Sequence, residues 1–114
     1  MTERQFSTRF LQWIRIQKMN GAFELKLTKN GRLAFNSLQP HQKDNLLHVK
    51  HGFLAHKIAD DSIGVKPFDI FALGGMPAYV VVNFYEPRKE RFYIIDIDDW
   101  CELEKSNFES EDGR

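Results

Sequence analysis

The residues near the start of the chain place their apolar side chains at the spacing of one helix face. These residues are Phe6, Phe10, Trp13 and Ile14. Apolar positions three or four apart are typical of an amphipathic helix. Thr2, followed three residues later by Gln5, has the form of a capping box at a helix start. The pattern predicts a helix over about residues 3–18, ended by Asn20 and Gly21.

From residue 22 the apolar positions alternate strictly with polar ones, which is the period of a half-buried strand. The run 22–28 places Phe23, Leu25 and Leu27 on one face and Glu24, Lys26 and Thr28 on the other. Asn30 and Gly31 follow, and this pair favours a tight hairpin turn. We therefore predict a strand over 22–28 and a returning strand over 33–35.

The rest of the chain predicts two more helices and four more strands. Pro40, placed in the first turn, starts a helix that runs to about Lys50 and stops near Gly52. The strands are predicted over residues 53–58, 68–73, 79–85 and 92–97. The run 79–85 is almost wholly apolar, so we expect it to be buried on both faces in the centre of the sheet. A short terminal helix is predicted to begin at Asp98.

These elements predict an α/β fold in which helices flank a mixed sheet. A chain of 114 residues is long enough for one domain with its own core. We place that domain at residues 1–104 and predict that residues 105–114, which are polar, form a flexible tail. The single Cys101 excludes an internal disulfide and a zinc site built from cysteines.

The hydropathy of the chain argues against a membrane protein. No run approaches the roughly 18 to 20 consecutive apolar residues that a membrane helix needs. The polar start Met1-Thr2-Glu3-Arg4 does not have the form of a signal peptide. We therefore expect a protein of the cytoplasm, or of the host cytoplasm if a phage encodes it, with no membrane partner.

The charges are distributed unevenly along the chain although they sum to zero. Residues 1–57 carry a net charge of +7 and residues 58–114 a net charge of −7, and all four histidines lie in the first half. Such asymmetry favours a polyanion as the partner of one surface. If the two halves interleave in the fold, however, the charges mix, and the sequence leaves both interpretations open.

Glu24 and Lys26 carry the chemistry that narrows the function most. Two residues apart on one strand, their side chains emerge on the same face, about 6.5 to 7 Å apart along the chain. A carboxylate can bind a hard divalent cation, and an ammonium beside it can hold a phosphate oxygen or the attacking water. Phosphodiester cleavage needs both groups, because the phosphate charge repels a hydroxide. The same triplet is also typical of the solvated face of an ordinary sheet.

Further candidate residues lie on later elements. Asp69, on a largely apolar strand, is predicted either to bind the metal together with Glu24 or to cap the strand end. Gln42 and its neighbour His41 are candidates for contact with the scissile phosphate or the attacking water, and the alternative is that both are solvated polar residues. The candidate contacts to a DNA backbone are Arg32, Lys43, Lys50 and Lys66.

Four stretches of the chain resemble a known family. They are Ala22-Phe23-Glu24-Leu25-Lys26, Phe35-Asn36-Ser37-Leu38, Pro40-His41-Gln42 and Lys66-Pro67-Phe68-Asp69. Over about residues 3–100 the chain is similar to small phage-type Holliday junction resolvases, which are related to the bacterial RecU and archaeal resolvases of the PD-(D/E)XK nuclease superfamily. The resemblance implies an endonuclease that depends on Mg²⁺ or Mn²⁺. It also implies a homodimer that nicks two strands of a branched DNA symmetrically.

The resemblance assigns roles to individual positions. Glu24 would be a metal ligand, Lys26 the catalytic lysine, and Gln42 the glutamine that follows the core in the resolvases. Glu3 would match an acid that some members carry on the first helix. The chain departs from the family where most members place an aspartate before the Glu-x-Lys strand. The link at Gly21 leaves no room for the hairpin that carries this aspartate.

The leading hypothesis is therefore a Mg²⁺-dependent endonuclease for branched DNA in which Asp69 takes over from the missing aspartate. Glu24 and Asp69 would hold the metal. Lys26 would stabilise the transition state, and Gln42 would position water or phosphate. If the site is incomplete, the chain is a nuclease-fold module that binds DNA or has a structural role without cleavage. A third hypothesis is a protein-interaction subunit whose charge asymmetry serves self-association.

Overall fold

A computed structural model describes residues 1–29, 32, 34–60, 64–86 and 91–112 of the chain, with side chains up to residue 106. The helices are α1 (Glu3–Gln17), α2 (Pro40–His51) and α3 (Ile97–Asp112). The strands are β1 (Ala22–Thr28), β2 (Phe53–Lys57), β3 (Ile70–Gly74), β4 (Ala78–Phe84) and β5 (Phe92–Asp96). The elements form one α/β domain with a mixed sheet flanked by helices, which confirms the predicted class.

The main sheet has the strand order β1-β4-β5, so β4 is its centre. β1 runs parallel to β4, with Glu24 opposite Val80 and Lys26 opposite Val82, and β5 runs antiparallel to β4. Val80, Val81 and Val82 are all 0% exposed, which confirms the prediction that this strand is buried on both faces. A strand buried on both faces requires a covering layer on each side of the sheet.

Two apolar clusters supply those layers. On one face, α1 packs Phe6 and Phe10 against Val81 of β4. On the other face, α2 and α3 enclose a cluster of Leu38, Leu46, Val49, Ala78, Val80, Val82, Ile97 and Trp100. Burying one large apolar side chain contributes about 1.5 to 3 kcal/mol. The apolar face of β1 belongs to the α1 layer, so its polar face, with Glu24 and Lys26, is turned toward α2.

The first helix begins with the predicted capping box and ends at Gln17, before the Asn20-Gly21 stop expected from the sequence. The Thr2 hydroxyl accepts a hydrogen bond from the Gln5 backbone N–H at 3.1 Å, and the Gln5 side-chain oxygen accepts one from the Thr2 N–H at 2.8 Å. This capping box satisfies two N–H groups that the helix itself cannot pair. Lys18 ends the helix in the left-handed conformation, with φ at 55°. The second helix likewise begins at Pro40, as predicted.

The predicted hairpin after β1 is wrong. Ala34 is outside any strand, and Phe35–Ser37 is a short 3-10 helix, while β1 takes β4 as its partner. Asn30, Gly31 and Leu33 lie outside the described residues. The Phe35 ring packs edge-on against Trp100 of α3, with ring centroids 5.1 Å apart. This burial of Phe35 in the α2–α3 layer directs the chain away from a returning strand.

β2 and β3 form a separate two-stranded antiparallel sheet, in which Ala55 lies opposite Ala72. β3 begins at Ile70, two residues later than predicted. The outward face of this sheet leaves Phe53 67% exposed and Ile70 64% exposed. Asp69 therefore lies just before a strand of the small sheet, and not on a strand of the sheet that carries Glu24.

The last helix is longer than the sequence predicted. α3 continues to Asp112, through most of the segment expected to be a flexible tail. Asp98 and Asp99 in its first turn interact favourably with the positive end of the helix dipole. No glycine or proline interrupts the run before Gly113. Among the described residues, no helix combines the length and the apolar character needed to cross a membrane.

Gly21 provides a test of how β1 is seated beside β4. Its φ is +149°, and a Cβ at this position would lie 2.6 Å from the Pro77 carbonyl oxygen, which accepts a hydrogen bond from the Ala22 N–H at 2.9 Å. We expect Gly21→Ala to lower the free energy of unfolding by about 2 kcal/mol or more, because strain and a backbone clash add together.

Gly75→Ala is the matched control for this substitution. Gly75 also has a positive φ, +63°, but a Cβ there would meet nothing within 4 Å. It should cost only the left-handed conformational penalty, about 1 kcal/mol. Urea unfolding of the two variants checks the difference, and equal losses would contradict the close approach of Gly21 to Pro77.

Candidate functional site

Three of the residues singled out in the sequence are joined by hydrogen bonds. The Lys26 ammonium donates to the Gln42 side-chain oxygen at 3.0 Å, and the Gln42 amide nitrogen donates to Glu24 Oε1 at 2.8 Å. Lys26 Nζ also lies 3.5 Å from Glu24 Oε1. β1 supplies Glu24 and Lys26, and the first turn of α2 supplies Gln42. We call these three residues the Glu24 cluster.

The position of Gln42 is set by the way α2 begins. Pro40 occupies the first turn, and Gln42 Oε1 accepts a hydrogen bond from the Gln39 backbone N–H at 3.0 Å. The same oxygen also accepts the hydrogen bond from Lys26. The side chain that caps the helix is therefore also the link between the two charged residues of β1. A local signal for the start of a helix thus fixes one member of the cluster.

The cluster is partly shielded from solvent. The Lys26 side chain is 16% exposed and that of Glu24 is 31% exposed. An ion pair held in this way is stronger than one on an open surface, since fewer water molecules screen it. Glu24 Oε2 has no hydrogen-bond partner among the residues that the structure describes. That oxygen is available to a cation.

A cleft of about 340 Å³ opens beside Lys26. Its lining residues are Glu3, Lys26, Leu27, Thr28, Arg32, Ala34 and Ser37. Successive residues of β1 point to opposite faces, so a cleft lined by three in a row lies along the open edge of that strand. The Ser37 hydroxyl is buried there and has no hydrogen-bond partner in the described part of the chain. The cleft thus joins one carboxylate, Glu3, to the cations Lys26 and Arg32.

Asp69 is not bonded to the Glu24 cluster. Its side chain is 80% exposed and lies 3.1 Å from the Lys66 ammonium. Its backbone carbonyl accepts a hydrogen bond from the Ile58 N–H at 2.8 Å, which extends the pairing of β2 with β3. Within the described ranges, no group of three or more His, Cys, Asp or Glu side chains is arranged to hold a metal ion. Asp69 is therefore paired with Lys66 and not with a member of the Glu24 cluster.

Three of the four predicted backbone contacts are paired with carboxylates. Lys43 bonds Glu104 at 2.9 Å. The hydrogen bond that the Lys43 ammonium donates to Glu104 raises the pKa of that ammonium. Lys66 bonds Asp60 as well as Asp69, and these hydrogen bonds raise the pKa of its ammonium too. The acidic second half of the chain therefore neutralises lysines of both halves, as the interleaving interpretation of the charge asymmetry requires.

Lys50 belongs to a charge network between the end of α2 and the start of α3. Its ammonium lies 2.7 Å from Asp96 and 2.6 Å from Asp98, and the His51 ring lies 2.8 Å from Asp98. The hydrogen bonds to Asp96 and then Asp98 raise the pKa of Lys50. A cation at a helix C-terminus and acids at a helix N-terminus both complement the dipoles.

In the sequence, Asp96 and Asp98 stand out only by their position around the predicted start of the last helix. Their pairing with Lys50 depends on how α2 packs against α3, for which the chain carries no local signal.

Arg32 is the remaining predicted contact, and it lies at the surface of the cleft beside Lys26. Of the four candidates, it is the one that the structure places next to the Glu24 cluster.

No family model, curated protein or solved structure matches the chain. The Glu24 cluster and the cleft together offer a carboxylate oxygen with no hydrogen-bond partner among the described residues, an oriented ammonium and a strand edge. These groups suit a substrate that carries negative charge and needs a divalent cation.

The charge network predicts a pH dependence of stability. The hydrogen bonds from Lys50 and His51 lower the pKa of Asp98 below its ordinary value of 3.8. Because the folded value is the lower one, the stabilisation is present above about pH 4 and is lost as the pH falls through the folded value. When the pH is lowered from about 6 to about 3, we expect the melting temperature of the Asp98→Asn variant to fall less than that of the wild type.

Asp99→Asn is the control, since Asp99 is an exposed neighbour in the same helix turn. It should follow the wild-type profile in thermal unfolding monitored by circular dichroism. An equal loss of melting temperature in the wild type and Asp98→Asn would show that the network does not stabilise the fold.

Proposed function

We propose that this protein is a divalent-metal-dependent endonuclease of the PD-(D/E)XK type that cuts phosphodiester bonds in branched DNA. The observation that carries the proposal is the Glu24 cluster. On an ordinary solvated sheet face, a glutamate and a lysine extend separately into water. Here both contact Gln42, and Lys26, which is only 16% exposed, also lines a cleft. That arrangement supports a site in preference to a surface pair.

The residues of the site fit Mg²⁺ or Mn²⁺ as the cofactor. Mg²⁺ is usually held by one or two protein carboxylates, with water molecules and substrate oxygens as the other ligands. Glu24 offers one oxygen, Oε2, without a partner among the described residues. Glu3, which lines the same cleft as Lys26, is the second carboxylate in this proposal. When bound, the metal neutralises phosphate charge and lowers the pKa of a coordinated water.

Lys26 has the electrostatic role. Negative charge develops on the phosphate oxygens as the nucleophile attacks, and a fixed ammonium stabilises that charge more than a mobile one does. The hydrogen bond to Gln42 holds the ammonium in place before the substrate arrives. Gln42 is therefore a positioning residue, because its oxygen accepts from Lys26 and Gln39 and its nitrogen donates to Glu24.

The substrate follows from the resemblance and from the open edge of β1. The cleft that Lys26, Thr28 and Arg32 line follows the edge of β1. A phosphodiester chain can lie in this cleft alongside the sheet. Symmetric nicking of a branched DNA requires two such sites, so the proposal includes a homodimer. Each protomer would contribute one Glu24 cluster.

A second candidate is a DNA-binding module of the same fold that does not cleave. The observation that favours it is the pairing of Asp69 with Lys66, which leaves Glu24 as the one carboxylate of the hydrogen-bonded cluster. If Glu3 does not supply the second carboxylate, metal binding would be weak. The two candidates separate on cleavage, because both are expected to bind DNA.

Cleavage of a synthetic four-way junction in Mg²⁺ tests the first candidate. Glu24→Gln and Lys26→Ala are each expected to reduce the rate about 100-fold or more, because each removes a charge that acts on the transition state. Glu104→Gln is the matched control, since Glu104 is a 32% exposed glutamate in a different lysine pair. Cleavage that survives both substitutions would contradict the proposed site.

A magnesium titration of the same reaction identifies the second carboxylate. We expect Glu3→Gln to raise the Mg²⁺ concentration for half-maximal cleavage about tenfold or more. Asp69→Asn should change it less than about twofold, as its carboxylate is exposed and paired with Lys66. The opposite ranking would restore Asp69 as the ligand predicted from the sequence. Circular dichroism of Glu3→Gln shows whether α1 remains folded.

A further inference from the structure

The outward surface of α1 carries three exposed arginines, Arg4, Arg9 and Arg15. A groove of about 300 Å³ on this surface is lined by Arg4, Gln5, Thr8 and Arg9. Phe6 and Phe10 point the other way, into the core. We call the surface formed by Arg4, Gln5, Thr8, Arg9 and Arg15 the arginine face.

The charges of the arginine face differ from the lysines discussed above. Lys43, Lys50 and Lys66 are each bonded to carboxylates. Within the described residues, Arg4 and Arg15 form no ion pair. α1 contains one acid, Glu3, and it lies at the start of the helix, where it lines the cleft. Arg4 and Arg15 therefore keep a positive charge that no carboxylate of the described residues pairs with.

The spacing of these side chains suits a phosphate backbone. At 3.6 residues per turn, Arg4 and Arg15 lie within about 20° of each other around the helix and about 16 Å apart along it. One strand of duplex DNA presents a phosphate about every 3.4 Å of axis, so this length spans about five of them. Guanidinium groups bind phosphate oxygens through two parallel hydrogen bonds. Each described residue that lines the groove carries a hydrogen-bonding group, and the positive charge of Arg4 favours a polyanion as the occupant.

The arginine face begins where the cleft ends. Glu3 lines the cleft beside Lys26, and the next residue, Arg4, lines the groove. A DNA strand with one phosphate at the cleft can therefore continue along α1 toward Arg4 and Arg15. We infer that the arginine face binds the sugar–phosphate backbone of the DNA substrate away from the point of cleavage. This inference rests on the proposed function for the identity of the substrate.

The recognition is independent of base sequence. The Thr8 hydroxyl already donates to the Arg4 carbonyl at 3.0 Å, and the Gln5 side chain belongs to the capping box of α1. The guanidinium groups of Arg4 and Arg15 make the phosphate contacts. Contacts of this kind fix the orientation of DNA and weaken steeply with added salt.

The test is the affinity of the protein for a labelled four-way junction, measured by fluorescence anisotropy without divalent metal over a range of salt concentrations. The double variant Arg4→Gln/Arg15→Gln removes two charges and leaves Arg9 intact. We expect its Kd to rise about tenfold or more at about 100 mM salt. The slope of log Kd against log salt should fall by about 2, one for each phosphate contact removed.

The matched control is Lys57→Gln/Lys105→Gln, which changes the net charge equally at exposed positions on β2 and α3. Its Kd and salt slope should stay within about twofold of the wild type. Unchanged binding by the arginine variant, or wild-type protein that does not bind the junction, overturns the inference. So does a loss of self-association in sedimentation with DNA affinity unchanged, which would assign the face to a second copy of the chain.

Cleavage is measured separately, so the two proposals can fail independently. Binding that depends on Arg4 and Arg15, with no cleavage by the wild type in Mg²⁺, supports the arginine face and overturns the nuclease. Cleavage that requires Glu24, with binding indifferent to the two arginines, supports the nuclease and overturns the arginine face. Melting temperatures of both double variants show that the fold is retained.

Discussion

The parallel pairing of β1 with β4 is the constraint on which the rest of the structure depends. β4 is apolar on both faces and fully buried, so helices must cover both sides of the sheet. α1 covers the face that receives Leu25 and Leu27. The opposite face of β1 then meets the first turn of α2, and that meeting brings Gln42 to Glu24 and Lys26. The candidate site is a consequence of how the core is layered.

Gln42 couples the site to the fold in a second way. One amide caps α2 through Gln39 and orients both charged side chains of β1. The geometry of the site and the start of the helix therefore cannot vary independently. A preorganised ammonium needs support of this kind, because a long flexible side chain otherwise loses conformational entropy when it contacts the substrate.

Local signals in the sequence predicted the elements that carry the site. The capping box at Thr2, the alternation over 22–28 and Pro40 at a helix start are short-range patterns, and each element appears where it was expected. The spacing of Glu24 and Lys26 placed them on one face, whereas Gln42 was one of two neighbouring polar candidates until the family resemblance assigned it a role. The predicted returning strand over 33–35 is wrong because Phe35 packs against Trp100, which is far away in the sequence.

The pairing of lysines with acids and the split into two sheets also depend on contacts between residues far apart in sequence. Neither the spacing of apolar residues nor a turn motif carries information about such contacts. The role of Asp69 in metal binding remains a prediction, and its exposed position beside Lys66 is the feature that the sequence could not supply.

The contact between Gly21 and Pro77 has a consequence for the rigidity of the candidate site. The backbone of the α1–β1 link approaches the entrance of β4 so closely that even one methyl group lacks space. The Pro77 carbonyl that crowds Gly21 also accepts a hydrogen bond from the Ala22 N–H, so any shift that relieves the crowding stretches the first backbone hydrogen bond at the start of β1. Because Glu24 lies two residues further along the same strand, a side chain added at position 21 would disturb the Glu24 cluster without a change in any of its own residues.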